Sequence, residues 1–161
     1  MNSDEIEKWR EAGSLASEAL QFGKSIIKEN MSMLDITEEI ENYVRDKGGE
    51  LAFPTNLAVN NVGAHWTPSS KSKDTFCKGD LVKLDVGVHI DGYIGDNALT
   101  IEIGSDNYKK MIEASREALN KAVEIAAAGI SVGVIGQAVQ ETIERYGYRP
   151  IANLTGHRIK R

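Results

Sequence analysis

A chain of 161 residues, 41% hydrophobic and 27% charged, has the size and make-up of one globular domain or of part of a larger one. Its formal net charge of −5, with no block of Lys or Arg, argues against nucleic acid as a main partner. A single cysteine, Cys77, excludes an internal disulfide and fits a reducing compartment. No apolar run reaches the roughly 18 residues that a membrane span needs. The N-terminus, MNSDEIEKWRE, is polar and acidic, unlike a signal peptide, so a soluble cytoplasmic protein with no membrane partner is expected.

In chain order, residues 3–29 carry Ile6, Trp9, Ala12, Ala16, Leu20 and Ile27 at three-or-four spacing, which predicts one long amphipathic helix. Asn30-Met31-Ser32 breaks it. Asp35 with Glu38 has the pattern of a capping box and predicts the start of a second helix, with Ile36, Ile40, Tyr43 and Val44 on one side and Gly48-Gly49 at its end. The stretch LAFPTNLAVNNVGAHW, 51–66, has strand-like pieces on either side of Asn60-Asn61, a pair that tolerates left-handed geometry, so a short β segment or hairpin is expected. Residues 67–80, which include Cys77, are polar and turn-rich and read as a surface loop.

Leu81 to Ile103 is two apolar, β-branched runs joined at Asp91-Gly92, a strong hairpin signal because a type I′ turn needs positive φ at both central residues. A two-residue loop pairs Ile90 with Tyr93 and therefore sets Gly87 opposite Asp96. Asp85, two residues from Gly87, then shares a face with Asp96, the two Cα atoms about 7–8 Å apart on the diagonal. Carboxylates that close repel unless a cation lies between them or one is protonated. Gly87 is expected to leave room there for a guest, and the arrangement suits a pair of metal ions. The alternative is two strand-end carboxylates facing water. His89 shares the parity of Asp85 but adjoins the turn, and reads as structural or solvent-facing.

Residues 106–128 predict a third helix, with Met111, Ile112, Leu119, Ala122, Val123 and Ala126 as its apolar stripe. Ser131 opens a fourth, which runs through Tyr146 to Gly147, and Arg149-Pro150 begins an extended piece. Sliding the chain against itself by 99 residues aligns Glu18-Ala19-Leu20 with Glu117-Ala118-Leu119, Ser32 with Ser131, Ile36 with Ile135 and Gly48 with Gly147. Helices and their breaks coincide, which points to a duplication: helix, helix, β segment, hairpin. The first copy spans about 3–103 and the second begins near 106. Arg161 corresponds only to Val62, so about 40 residues of the second copy are expected to lie outside the chain. The fold class read from this is α+β, the N-terminal part of a domain with a pseudo-two-fold repeat of two helices plus antiparallel strands. A half-sheet by itself would expose an edge and apolar surface.

The motifs FPTNLAVNNVGAHWTP at 53–68, KLDVGVHIDGYIGDNALT at 83–100 and NLTGH at 153–157 together resemble methionine aminopeptidases. The form of the first motif, ending His-x-Thr-Pro, is similar to the type II enzymes, and the compact chain to their archaeal members. The resemblance implies the pita-bread (creatinase/aminopeptidase-like) fold and removal of the initiator methionine from nascent proteins. It implies two divalent metal ions, Co, Mn, Fe or Zn, held by two Asp, one His and two Glu. Asp85 and Asp96 match the aspartates and His157 matches the histidine. His65 matches a catalytic, substrate-side histidine that is not a ligand, and Phe53 a residue lining the methionine side-chain pocket. The two glutamates and a second substrate-side histidine would lie beyond Arg161, so the isolated chain is expected to be inactive. Expected partners are the N-terminal methionine of nascent polypeptides, with the ribosome and a C-terminal chain completing the fold as further candidates. Two alternatives stay open: an X-Pro peptidase (prolidase or aminopeptidase P) with the same two-Asp, His, two-Glu site, and a non-catalytic relative that binds ribosomes or peptides.

Overall fold

A computed structural model describes residues 2–159. The chain divides into two compact units, one built from the residues up to Ser105 and one from Asp106–His157. The first holds helices α1 (Ser3–Ile26) and α2 (Met33–Asp46) and strands β1 (Glu50–Leu51), β2 (Asn56–Val59), β3 (Leu81–Ile90) and β4 (Tyr93–Glu102). No helix among the described residues is long and apolar enough to cross a membrane.

Both helices of this unit start on side-chain caps. At α1, Asn2 and Glu5 form a reciprocal box: the Glu5 N–H donates to Asn2 Oδ1 at 2.9 Å and the Asn2 N–H to Glu5 Oε2 at 2.8 Å. At α2 the cap is Ser32, whose hydroxyl accepts from the Asp35 N–H at 3.2 Å, and not Asp35 with Glu38 as the sequence suggests. The earlier start makes Met33 helical and buries it beside Ile36 and Ile40. The α1 helix stops at Ile26, three residues short of the expected end.

The central strand is β3. On one edge it pairs antiparallel with β4 along its whole length. On the other it pairs with β1 at its C-terminal end and with β2 at its N-terminal end. Pro54, which has no N–H to give a ladder, lies in the gap between β1 and β2. Helix α1 packs across β3 and β4, and α2 beside α1. The side chains aimed at the helices, Val82, Leu84, Val86 and Val88 with Leu57 of β2, are fully buried among Ala16, Ala19, Ile36, Ile40 and Val44. Each of the larger ones contributes about 1.5–3 kcal/mol by leaving water. Strand β2 does not continue into a hairpin across Asn60-Asn61: the Val62 N–H closes a turn onto Val59 O at 3.0 Å, and the Leu57 N–H donates to Trp66 O at 2.8 Å. Residues 67–80 are also more than a surface loop. Phe76 is fully buried and exchanges backbone hydrogen bonds with Asn30 and Met31, so one aromatic in a polar stretch seals the α1–α2 connection.

The second unit holds α3 (Lys109–Ile125) and α4 (Val132–Arg145). Its α4 repeats α2 closely, while α3 has 17 residues against the 24 of α1 and no side-chain cap. The helices α2 and α4 are 14 residues each, start 99 positions apart and are capped by Ser32 and Ser131. Gly48 and Gly147 follow them at φ 85 and 83. The apolar stripe expected on α3 is turned differently: Ala114 and Ala118 are buried, whereas Leu119 and Val123 are exposed. Leu20, the counterpart of Leu119, is 5% exposed, against 59% for Leu119. In the first unit that position covers a sheet, and among the described residues the second unit contains no strand for it to cover.

Close approach of α1 to β4 requires Gly95, because a Cβ there would lie 2.5 Å from the Ala12 carbonyl oxygen. Gly95→Ala is expected to lower stability by about 1–3 kcal/mol in urea unfolding. Gly13→Ala, on the same helix with nothing within 4 Å of the added Cβ, is expected to raise it by roughly 0.5–1 kcal/mol. Equal effects at the two positions would refute the packing described.

Candidate metal centre

The turn Asp91-Gly92, at φ 50 and 85, sets the β3–β4 register. Ile90 pairs with Tyr93, Gly87 with Asp96 and Asp85 with Ala98. Side chains alternate along a strand, so Lys83, Asp85, Gly87 and His89 of β3 and Asp96 of β4 stand on the face opposite the helices. Asp85 and Asp96 are thus diagonal neighbours on one face, each half-buried, and Asp85 Oδ1 is withdrawn from solvent. Bringing two carboxylates together out of water costs energy that a cation between them offsets. A pair of anionic oxygen donors also suits a divalent ion. The arrangement therefore fits a metal site.

Phe53 reaches the same face. Between β1 and β2 the chain arches past Gly87, with the Ala52 N–H donating to Gly87 O at 2.9 Å. A Cβ on Gly87 would sit 2.2 Å from Phe53 Cε1. The room that Gly87 leaves opposite Asp96 is filled by the Phe53 ring, not kept open for a guest as the sequence suggests. The carboxylates consequently border an apolar aromatic surface.

His65 is exposed on the loop after β2 and holds φ 59, a left-handed conformation unusual for a side-chain-bearing residue. Both ends of its loop are tied down. At one end Asn60 Oδ1 accepts from the Leu81 N–H at 2.9 Å, Asn60 Nδ2 donates to Asp80 Oδ1 at 2.9 Å, and Lys83 Nζ donates to Asn60 O at 2.7 Å. Partial burial lowers the Lys83 amine below the usual lysine range. At the other end the Thr67 hydroxyl lies 3.0 Å from Thr55 O and 3.1 Å from Asn56 Oδ1. His89 is engaged structurally: its Nδ1 accepts from the Gly92 N–H at 3.3 Å and its Nε2 lies 3.3 Å from Glu50 Oε2. His157 belongs to the second unit, where it is exposed in the stretch after Pro150. Among the described residues, no three His, Cys, Asp or Glu side chains form a ready metal cluster. The polar pair Asn56 and Thr67 has no role assigned from sequence. Only the register that sets Asn56 beside Asp85 brings it to this face.

Residues 7–161 match the pattern of metallopeptidase family M24. A methionine aminopeptidase of Archaeoglobus fulgidus is 41% identical over 157 residues, covering 98% of this chain and 53% of that protein. The chain thus spans about half the length of this and most other curated relatives it matches, but 89% of a methionine aminopeptidase of Methanothermus fervidus that is 40% identical. Among solved structures, the methionine aminopeptidase of Thermotoga maritima superposes with a TM-score of 0.91 at 28% identity, over 99% of this chain and 67% of that one. The prolidase of Pyrococcus horikoshii superposes at 0.79 with 31% identity, over 91% and 43%. The fold is the α+β pita-bread fold of these proteins.

Gly87→Ala is expected to push the Phe53 ring off the carboxylate face. Ring chemical shifts of Phe53 and its nuclear Overhauser contacts to residue 87 report the movement, together with a loss of about 1–3 kcal/mol in stability. Unchanged contacts in the variant would show that the ring does not rest on Gly87.

Proposed function

This chain belongs to metallopeptidase family M24, and on that premise we propose that it forms part of a metal-dependent methionine aminopeptidase acting on the N-terminal methionine of nascent polypeptides in the cytoplasm. In this reading residues 1–161 are the N-terminal portion of one catalytic domain, with a first repeat at about 3–103 and a second beginning near 106. The observation that carries the reading is the shared face of Asp85 and Asp96 with the Phe53 ring seated on Gly87, directly opposite Asp96.

Asp85, Asp96 and His157 would hold a pair of divalent ions, Co, Mn, Fe or Zn, for which oxygen and imidazole donors are suited. Such a pair supplies a nucleophile at neutral pH and polarises the scissile carbonyl. The chain's own residues then position the substrate. The Phe53 ring offers an apolar wall for an unbranched thioether side chain. His65, carried on a loop anchored at both ends, donates a hydrogen bond to the substrate beside the scissile bond. The remaining ligands are two glutamates from outside these residues, and the exposed Leu119, Val123 and Val132 are the surface that the strands carrying them would cover.

The test mixes the chain with a polypeptide supplying those strands, in Co²⁺ or Mn²⁺, and follows release of free methionine from Met-Gly peptides. Release by the complex and none by the chain alone is the expected result. Asp96→Ala is expected to cost more than the ~100-fold that loss of an outer partner of a metal ligand costs. Cleavage of X-Pro dipeptides in preference to Met-Gly peptides would replace this reading with that of a prolidase. A metal-loaded complex that cleaves neither would refute an enzymatic role.

A further inference from the structure

We propose that Asn56, held in place by Thr67, is a positioning residue that orients the Asp85 carboxylate for metal. The inference rests on the metal reading above and deepens it. Antiparallel pairing sets Asn56 of β2 directly opposite Asp85 of β3, so their side chains share a face with Cβ atoms about 4.5–5.5 Å apart. On the other flank of Asp85 stands Ala98, which has no polar side-chain atom. Of the two cross-strand neighbours of Asp85, Asn56 is therefore the one able to hydrogen-bond it.

The Asn56 amide is oriented. Its Oδ1 lies 3.1 Å from Thr67 Oγ1, whose hydroxyl also lies 3.0 Å from Thr55 O. Both neighbours are oxygens that only accept, so the hydroxyl proton points toward them. With the amide oxygen engaged by Thr67, the amide nitrogen is the end available to Asp85. Thr67 is itself anchored: the preceding Trp66 carbonyl accepts from the Leu57 N–H at 2.8 Å, and the following Pro68 is buried. The Thr55 N–H donates to Glu41 Oε1 at 3.1 Å, tying the same segment to α2. A donor beside a carboxylate selects which of its oxygens is presented to a metal and limits its rotation, and outer partners of this kind typically change affinity 10–100-fold. A purely mechanical role, stapling the His65 loop to β2, would instead act on stability.

Isothermal titration with MnCl2 of the chain completed by the polypeptide that supplies the two glutamates separates the two. The expected result is that Asn56→Ala weakens binding about 10–100-fold with its thermal unfolding midpoint close to wild type. Thr67→Val, of the same shape but without the hydroxyl, shifts affinity in the same direction, and Thr67→Ser restores it. Loss of stability in Asn56→Ala with an unchanged Kd would overturn the positioning role and leave only the staple. If Asn56→Ala does not fold, Thr67→Val decides alone, and wild-type affinity there overturns the role. Binding by wild type that Asp96→Ala abolishes and Asn56→Ala leaves within twofold overturns this inference while keeping the metal reading. No binding by wild type overturns both.

Discussion

The register of β3 against β4 is the constraint on which the other features depend. Side chains alternate with a period of two, so a slip of one residue would turn Val82, Leu84, Val86 and Val88 toward water and drive Asp85 and Lys83 into the helices. Four fully buried branched side chains oppose that slip, at about 1.5–3 kcal/mol each. The turn at Asp91-Gly92 opposes it too, since its left-handed pair of residues fits the twist of a two-residue hairpin. One core-forming pattern thereby carries a second consequence: the residues between the buried positions must face the other way. The carboxylate pair is placed by the same energy that builds the core.

Glycine allows both faces of this hairpin to be approached closely. On the helix side Gly95 lets the backbone of α1 come down at Ala12 and Gly13, where Asn97 Nδ2 donates to the Gly13 carbonyl at 3.3 Å. On the opposite side Gly87 admits the Phe53 ring. The break between β1 and β2 provides the slack that lets Phe53 reach it, and Pro54 sits in that break. The result is a sheet face on which anionic oxygens, an aromatic ring and an amide side chain meet.

The two helix pairs show what a helix pair does with and without a sheet. The caps and lengths of α2 and α4 agree at a separation of 99 residues, and so do the C-cap residues of α1 and α3, Ile27 and Ala126, both in extended geometry, although α1 has 24 residues and α3 has 17. Local interactions are enough for that. Burial differs: in the first unit small and branched residues of α1 and α2 lie fully buried with the strands, whereas in the second Val132 is 84% exposed although its counterpart Met33 is 6% exposed. Helix formation is local, while the worth of an apolar face depends on what it meets.

The amino-acid sequence by itself determined the elements that rest on short-range physics: the Asp-Gly hairpin with its pairing, the α+β order of elements, the helix pairs with their glycine stops, and the parity that puts Asp85 and Asp96 on one face. The three motifs were also enough to indicate the family to which the chain belongs. Three things were decided only by the tertiary structure, because each depends on contacts between segments far apart in the chain. Phe53 fills the space at Gly87, and Phe76 leaves a polar stretch to enter the core. Asn56 comes to stand beside Asp85 across 29 residues of sequence. Periodicity reports which way a side chain points along its own element, and pairing between elements determines what it finds there.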